Sequence, residues 1–450
     1  MGFKSKFATG AGRSTSWLLQ NVAKRTASQL PGRVALSLDN EILKSLARKP
    51  SQGSIVVCGT NGKTTTNNMV ASAIEASRQK VLCNRAGANM LPGVVAALLP
   101  GSKCDWAVME SDELSTVNIL PDLKPKYLVL LNLFRDQLDR AGEIDNVQNA
   151  IYSALEQTTD TAVVVNADDP LCYFVAYKAA KKGNETITFG IGEKFQDAQG
   201  DVAETRFCQN CLGELEYDYR HYAQLGSYTC PNCDFGRPEL DFKAINVVVN
   251  QDSLSFDVES RYLDDTAHLR ANFGGAYMVY NLLAAFSAAV LAGTTPSEFQ
   301  SMIDSYNPSN GRLQKFVVDG RQITLNLAKN PTGFNQNISL MLNDERRKNI
   351  MFSVNDNDND GCDISWIWDI DFERLTEANV GNIYVGGIRA NDMQVRMKYA
   401  GLSATIADSV EFVINDLKDI DADEPLYVIP NYSALLPAKN ELDRLGEKHV

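Results

Sequence analysis

The chain has 450 residues, of which 44% are hydrophobic and 22% charged, and its formal net charge is −13. The length predicts roughly two or three domains with an ample core, and the composition is ordinary for a globular protein. The acidic balance argues against a general nucleic-acid-binding role, and no apolar run reaches the roughly 18 residues needed to span a bilayer. The nine cysteines are an odd number, which fits a reducing cytosol better than a disulfide scaffold.

The start of the chain is basic. Its first 33 residues contain no acidic residue and carry six basic ones: Lys4, Lys6, Arg13, Lys24, Arg25 and Arg33. Three interpretations stay open: a solvated edge or poorly ordered start, an organellar transit peptide, and a basic face that contacts anionic lipid at a membrane surface. The segment continues into the apolar residues 34–38 without a cleavage-like break, which argues against the transit peptide.

A glycine-framed loop follows the apolar run 55–58 and precedes a helix-compatible segment, 67–77. Its glycines let the backbone approach phosphate oxygens closely, and the first amides of the helix point at the anion. Lys63 adds positive charge for the β- and γ-phosphates, and the Thr64 hydroxyl can ligate Mg²⁺. We expect Lys63 to be a surface residue with little packing. The predicted ATP contacts in this loop are Gly59, Thr60, Asn61, Gly62, Lys63, Thr64 and Thr65.

Short apolar runs and helical stretches alternate through the next part of the chain. The apolar runs are 55–58, 106–110, 127–133 and 162–166, and the later helical segments are 144–157 and 170–182. The alternation predicts a mostly parallel sheet wrapped by helices, with ligands beyond the carboxyl ends of its strands. Glu110 directly follows an apolar strand, so we favour it over Glu113 as a Mg²⁺ ligand beside Thr64. Helix caps and solvated loop acids remain the alternative for each acid.

Two Cys-x-x-Cys pairs are separated by eighteen residues. Their members are Cys208, Cys211, Cys230 and Cys233. The spacing is typical of a tetrahedral Cys₄ zinc ribbon, and four thiolates leave no open position for catalysis. Nearby aromatic residues are expected to cover it: Phe207, Tyr217, Tyr219, Tyr222 and Tyr228. Acidic neighbours argue against nucleic-acid contact.

These motifs together resemble the Mur ligase family, over roughly residues 30–440. The loop at 59–65, with valine at position 57, is the short form that Mur ligases and folylpolyglutamate synthases share, and Asn132 with the run 136–140 also fits. The segment 275–285 is similar to the one whose asparagine, here Asn281, contacts adenine. Residues 310–313 resemble a hinge whose arginine, here Arg312, reaches the nucleotide, and 328–333 resemble the segment that opens the C-terminal domain.

The resemblance implies an α/β fold with two domains. Residues 1–312 would form a P-loop Mur ligase central domain with the Cys₄ zinc ribbon inserted at about 203–236. Residues 313–450 would form a smaller α/β C-terminal domain that faces a partner. Only about fifty residues precede the phosphate loop, too few for the domain that holds a UDP-linked substrate. Gln137, Tyr277 and Met278 depart from the family pattern, and the position of a carbamylated lysine stays open.

An acidic loop, residues 355–363, follows the apolar residues 351–354, which are predicted to form a buried strand. One interpretation is a turn-rich solvated loop. A Ca²⁺ loop is excluded because its twelfth position is Ile367 rather than glutamate. The chain is most similar to the branch of the family that works with a GatD-like glutaminase, in which an aspartate of this motif orients the partner's catalytic histidine. Asp356 is favoured, and Asp360 and Asp363 remain alternatives.

The function implied by the resemblance is that of an ATP-dependent carbon–nitrogen ligase with glutamine as amido donor. ATP would convert the D-glutamate α-carboxylate of lipid II to an acyl phosphate, and ammonia from the GatD-like subunit would amidate it, in the cytoplasm at the inner face of the bacterial membrane. The chain's own histidines, His221, His268 and His449, lie in no glutaminase motif. The alternatives are a self-contained Mur or folylpolyglutamate-type amino-acid ligase and, more remotely, a non-enzymatic zinc-ribbon module.

Overall fold

The structure is a computed structural model that describes residues 2–22, 24, 28–101, 103–135, 144–196, 205–308, 311–358 and 360–446. Several features singled out in the sequence lie outside these residues: Arg25, the run 136–140, Asn310 and His449. The start of the proposed ribbon insertion, at 203–204, does so too. Within the described ranges, every helix is too short or too polar to cross a membrane.

Seventeen strands can be named in the described part of the chain. Those before residue 300 are β1 Pro50–Cys58, β2 Val81–Cys83, β3 Cys104–Glu110, β4 Tyr127–Leu130, β5 Ala162–Asn166, β6 Thr186–Ile191, β7 Glu216–Tyr222, β8 Leu225–Thr229, β9 Phe242–Val249, β10 Leu254–Ser260 and β11 Ala267–Ala271. Those after it are β12 Gln314–Val318, β13 Arg321–Leu325, β14 Lys348–Ser353, β15 Val380–Gly386, β16 Thr405–Ile406 and β17 Leu426–Pro430.

Helices connect most of these strands. Those before residue 310 are α1 Phe3–Asn21, α2 Leu30–Leu38, α3 Ile42–Leu46, α4 Lys63–Ala76, α5 Leu91–Leu98, α6 Thr116–Leu123, α7 Ile144–Glu156, α8 Pro170–Ala180, α9 Ala276–Leu291 and α10 Pro296–Ser305. Those after it are α11 Pro331–Leu342, α12 Ala390–Tyr399, α13 Val410–Asp416 and α14 Tyr432–Leu445, with 3₁₀ turns at Ser365–Asp369 and Phe372–Glu377.

The first sheet places the phosphate-loop strand near its middle. Its order is β11-β10-β9-β6-β5-β4-β1-β3-β2, and β1 pairs in parallel with β3 and β4. In the described part of this sheet, the β9–β10 and β10–β11 pairs are antiparallel, and β9 joins the parallel part by pairing with β6. Alternate residues of β1 enter two separate cores, Ile55 and Val57 beneath α4 and α9, Val56 and Cys58 beneath α2 and α5. This double burial explains why the strands read as continuous apolar runs.

Local sequence signals explain where several helices begin. Asp169 caps α8 by accepting a hydrogen bond from Leu171 N, and Pro170 occupies the first turn. Thr295 and Glu298 form a reciprocal capping box at the start of α10. The predicted helix at 67–77 begins earlier, at Lys63, because Gly62 adopts a left-handed conformation that turns the loop directly into the helix.

The hairpin of β7 and β8, flanked in the chain by the two cysteine pairs, is inserted in the sequence between β6 and β9, forms its own two-stranded sheet and packs on α8. Its small core contains Tyr228 and Phe235, with Tyr217 packed against it. Phe235 contacts three aromatic rings of α8: Tyr173, Phe174 and Tyr177. The predicted cover is therefore correct for Tyr217 and Tyr228. It is wrong for Phe207, which is exposed, and for Tyr219 and Tyr222, whose rings pack toward His221 and Phe134.

The second sheet has the order β12-β13-β17-β14-β15-β16, parallel except for the β12–β13 pair. Helix α11 covers one face, and α13 and α14 cover the other. The strand predicted at 351–354 overlaps the end of β14, which begins earlier, at Lys348, and ends at Ser353, so the acidic loop lies at the carboxyl edge of this sheet. We propose that the boundary between the two domains falls at residues 312 and 313, just before β12.

Candidate functional site

The phosphate loop is shaped by two glycines with positive φ. Gly59 has φ +133°, and a Cβ there would stand 2.9 Å from Asn132 O. Gly62 has φ +85°, and a Cβ there would collide with the Asn281 side chain. Both positions therefore need glycine for the close approach as well as for the backbone conformation.

The segment after β4 holds the loop in place. Asn61 N donates to Asn132 Oδ1 over 2.8 Å, and Asn132 Nδ2 donates to Asn61 O over 3.0 Å. The Thr60 hydroxyl accepts from Phe134 N and donates to Phe134 O. Asn132, which the sequence placed in the central-domain pattern, thus fixes the path of the loop.

Lys63 is buried rather than exposed, which corrects the expectation of a lightly packed surface lysine. Its side chain is 8% exposed, and Nζ donates to Glu113 Oε1 over 2.9 Å and to Gly59 O over 2.6 Å. Burial alone would lower the pKa of Lys63, but the Glu113 and Glu110 carboxylates raise it above its ordinary value. Burial alone would raise the pKa of Glu113, but Lys63 and Lys329 hold it below its ordinary value. The site therefore contains a prepositioned lysine whose charged form is favoured by the two carboxylates.

Thr64 and Glu110 converge on the backbone of Gly87. A Cβ on Gly87, which has φ +74°, would stand 3.3 Å from Thr64 Oγ1 and 3.6 Å from Glu110 Oε2. Glu110 Oε1 accepts from Asn89, whereas Oε2 is buried and accepts no hydrogen bond from the described residues. A buried, unpartnered carboxylate oxygen beside a hydroxyl is a donor set that fits Mg²⁺.

The remaining predicted nucleotide residues surround the loop. Thr65 is buried in the first turn of α4. Asn281 lies against Gly62, and its Nδ2 donates to Met278 Sδ over 3.6 Å. Arg312, which lies shortly before β12, donates from Nη2 to Thr64 Oγ1 over 3.4 Å. The structure thus brings all the predicted loop contacts, Asn281 and Arg312 into one region.

The second domain also contacts the phosphate loop, through a residue that the sequence analysis did not assign to the site. The side-chain amides of Asn61 and Asn330 exchange two hydrogen bonds, each 3.2 Å long. Asn330 additionally caps α11 by accepting from Gly333 N. The sequence pointed to this segment only through the resemblance of residues 328–333 to the start of the C-terminal domain. That resemblance did not show that the segment contacts the phosphate loop.

The four predicted cysteine ligands form one cluster. Their sulfur atoms all lie within 4.8 Å of one another, with Cys208 and Cys233 3.6 Å apart and Cys211 and Cys230 3.4 Å apart. Tetrahedral ligands about 2.3 Å from a zinc ion are themselves roughly 3.8 Å apart. Asn210 N also donates to Cys208 Sγ, which favours a thiolate. The donor set fits a closed, four-sulfur zinc site.

The three candidate aspartates of the acidic loop have different environments. Asp360 is buried, and both of its oxygens accept hydrogen bonds from Ser433 at the start of α14. Asp363 is exposed and accepts a hydrogen bond from Ser365 N at the start of the following 3₁₀ turn, and hydrogen bonds from Ser365 lower its pKa. The Asp356 side chain is 19% exposed, and its Oδ2 accepts from Arg389 Nη2 over 2.5 Å. Its Oδ1 accepts no hydrogen bond from the described residues.

Exposed apolar residues lie beside this loop. Ile388, which is 61% exposed, donates its backbone N–H to Asn355 Oδ1 and directly precedes Arg389. Trp368 and Tyr399 are also exposed and stack edge to face with ring centres 5.4 Å apart. The loop that carries Asp356 therefore has at least one exposed apolar neighbour, Ile388, of the kind that protein partners cover.

The fold and the phosphate site define the class of protein. Residues 57–289 match the Mur ligase middle domain. The fold is similar to that of a pseudomurein peptide ligase type C from Methanothermus fervidus, with TM-score 0.69 and 19% identity over 95% of this chain and 85% of that one. It is also similar to MurF from Acinetobacter baumannii, with TM-score 0.67 and 16% identity over 92% and 80% of the two chains. The architecture is that of a Mur ligase.

The second domain narrows this class. Residues 327–435 match the MurT ligase C-terminal domain. The lipid II isoglutaminyl synthase (glutamine-hydrolyzing) subunit MurT of Staphylococcus aureus strain COL is 35% identical over 433 residues, which are 95% of each chain. The subunit of the same name from Streptococcus pneumoniae is 32% identical over 97% of this chain and 96% of its own length. The chain therefore belongs to the MurT family of Mur ligases, and the predicted family is confirmed.

Proposed function

We propose that this chain is the ATP-dependent subunit of a glutamine-hydrolysing lipid II isoglutaminyl synthase. It activates the α-carboxylate of D-glutamate in the lipid II stem peptide as an acyl phosphate. Ammonia from a GatD-like glutaminase then replaces the phosphate and leaves D-isoglutamine, ADP and inorganic phosphate. The observation that carries the proposal is the combination in one chain of a complete phosphate site and a separate charged residue, Asp356, on a loop with an exposed apolar neighbour, Ile388.

The phosphate site supplies charge and position. The amides at the start of α4 bind the phosphates, and Lys63, held in its charged form by Glu113, neutralises the group that is transferred. Thr64 and Glu110 would hold Mg²⁺, which supplies further neutralisation of the phosphate oxygens when bound. Asn330 reaches the loop from the second domain and Arg312 reaches it from the proposed domain boundary, so the two residues link nucleotide binding to the second domain.

Ammonia production belongs to the partner in this proposal. Neither histidine in the described part of the chain has glutaminase geometry: His221 is buried against Tyr280 and Glu193 O, and His268 pairs with Asp257. Asp356 holds the partner's catalytic imidazole in its productive orientation and stabilises its charged form. The bond from Arg389 keeps the Asp356 carboxylate in place while Oδ1 accepts from the imidazole N–H. Because lipid II is a membrane lipid, the complex works at the inner face of the bacterial membrane.

The product of the reaction tests this proposal against its main rival. With ATP, glutamine and the partner subunit, we expect lipid II whose α-carboxylate has become a carboxamide. A self-contained amino-acid ligase would instead release ADP when given an amino acid without any partner, and its product would be heavier by that amino acid. Mass spectrometry of the lipid product, with and without the partner, separates the two reactions.

The ion proposed for the four cysteines is zinc, in a structural role. Metal analysis should find about one Zn²⁺ per chain. Cys208→Ser with Cys211→Ser removes two ligands, so we expect loss of zinc and a lower melting temperature or poor solubility before any specific loss of chemistry. Cys362→Ser, outside the cluster, is the control and should keep both zinc and stability. A soluble double variant with normal melting temperature that lacks only catalysis would contradict the structural role.

A further inference from the structure

Helix α1 presents its large apolar side chains to solvent and its small ones to the protein. The buried residues are Ser5, Ala8, Thr9 and Gly12. The exposed ones are Phe3, Phe7, Trp17 and Leu18, which are 88%, 63%, 59% and 52% exposed. Phe3, Phe7 and Leu18 are spaced by four and eleven residues, so they project from one side of the helix, with Trp17 beside them. This arrangement is the reverse of that of an ordinary surface helix.

The inner face of α1 is fixed to the fold, so the exposed face has a defined direction. Ser5 Oγ donates to the buried Asp39 over 2.6 Å, and Arg13 Nε donates to Leu99 O over 2.6 Å. A Cβ on Gly12 would come within 2.7 Å of Leu99 Cδ1, which shows how closely the helix is packed. The outward position of the aromatic rings is therefore a consequence of how α1 docks.

Basic residues dominate the sequence around this face. Residues 1–38 contain six basic residues and no acidic one, although the whole chain carries a net charge of −13. Lys4 and Lys6 are exposed near the start of α1, and Lys24 is exposed just after its end. Asp39 is buried, accepts a hydrogen bond from Ser5 and has Oδ1 3.9 Å from Lys4 Nζ, and the exposed Glu41 beside it pairs with Lys44. A row of aromatic rings with basic neighbours complements a surface that has an apolar interior beneath a layer of negative charge.

We infer that the outer face of α1 is a docking surface for an anionic lipid bilayer, with Phe3, Phe7, Trp17 and Leu18 entering the interface. Aromatic rings and leucine on one side of a helix, with lysines beside them, are suited to the boundary between headgroups and acyl chains. The choice of a bilayer rather than a protein rests on this charge complementarity and, in part, on the proposed function, because lipid II presents its stem peptide at such a surface. The face would hold the active site near membrane-bound substrate.

The test is co-sedimentation of the full chain with vesicles, without ATP or lipid II. We expect binding to vesicles that contain phosphatidylglycerol and weak binding to pure phosphatidylcholine. Phe7→Ser with Trp17→Ser should weaken binding by about tenfold or more, because two large apolar side chains leave the interface. Lys6→Glu should weaken it by about fivefold or more and make it less sensitive to salt. Phe412→Ser, which removes an exposed aromatic residue of the second domain, is the matched control.

Two further measurements separate the possible outcomes. The variants should keep the wild-type melting temperature and should amidate a water-soluble lipid II analogue normally, while losing activity on lipid II in vesicles. Equal vesicle binding by wild type and the Phe7/Trp17 variant would overturn the inference. It would also be overturned if the wild-type chain did not bind vesicles and instead used this face to self-associate or to bind the partner subunit. Vesicle binding without any amidation would contradict the proposed function and leave the docking surface supported.

Discussion

Replacing both members of the buried pair, Lys63→Met with Glu113→Gln, is expected to abolish ATP-dependent amidation while the chain stays folded. Lys63 is the positive charge that faces the transferred phosphoryl group, and losing such a group costs about 10²- to 10³-fold in rate or more. Because both charges are removed together, neither is left buried without a partner. Steady-state release of ADP with lipid II, glutamine and the partner subunit measures the loss, and the melting temperature reports the fold.

The single variant Lys63→Ala should behave differently from this double variant. It removes the cation that is hydrogen-bonded to the buried Glu113 and leaves Lys329 as the remaining positive charge acting on it, and breaking such a pair costs up to about 3–5 kcal/mol of stability. We therefore expect Lys63→Ala to melt at a clearly lower temperature than the double variant. The control is Lys182→Met with Glu156→Gln, which removes an exposed ion pair and should change neither activity nor stability measurably. Near-normal amidation by the double variant would refute the assignment of the phosphate site.

Asp356→Asn is expected to abolish glutamine-driven amidation and leave ATP binding intact. The substitution keeps the size of the side chain but removes the charge that stabilises the partner's imidazolium, and losses of this kind reach about 10⁴-fold in a serine protease triad. ATP binding should persist because Lys63 and the phosphate loop lie beside the first sheet, whereas Asp356 follows β14 of the second sheet. High ammonium should restore part of the product, since it bypasses glutamine hydrolysis.

The neighbouring acids provide the controls for this prediction. Asp358→Asn changes an exposed acid of the same loop and should leave glutaminase activity unaltered. Asp360→Asn should lower the melting temperature instead, because Asp360 holds the loop to Ser433 through both oxygens. Asp363→Asn should affect only the local 3₁₀ turn. Unchanged glutamine hydrolysis in the Asp356, Asp360 and Asp363 variants would remove this loop from the mechanism.

The parts of the fold that could be predicted are those whose structure is determined by residues close together in the sequence. The glycines at 59 and 62 fix the path of the phosphate loop, and apolar runs of four to seven residues mark strands buried on both faces. The cysteine cluster was predictable because the tetrahedral geometry of zinc sets the spacing of the two ligands within each Cys-x-x-Cys pair. The antiparallel strands β9, β10 and β11 were missed because their half-exposed pattern gives a weaker signal.

The contacts that could not be predicted join residues far apart in sequence. Lys63 is buried because Glu113, fifty residues later, folds back onto it. Phe235 packs against aromatic rings of α8. Asp360 is buried where Ser433, in the last helix, donates hydrogen bonds to it. The basic start of the chain left three interpretations open, and the docking of α1 through its small residues is what exposes the aromatic face.

The most direct test of acyl-phosphate formation follows oxygen from the substrate into phosphate. The product assay is run with lipid II whose D-glutamate α-carboxylate carries ¹⁸O at both oxygens, together with ATP, glutamine and the partner subunit. If the carboxylate attacks the γ-phosphoryl group and ammonia then displaces phosphate, one inorganic phosphate is released per carboxamide formed, and it carries one labelled oxygen. Inorganic phosphate without the label, while amide and ADP accumulate, would contradict activation of the carboxylate by this chain.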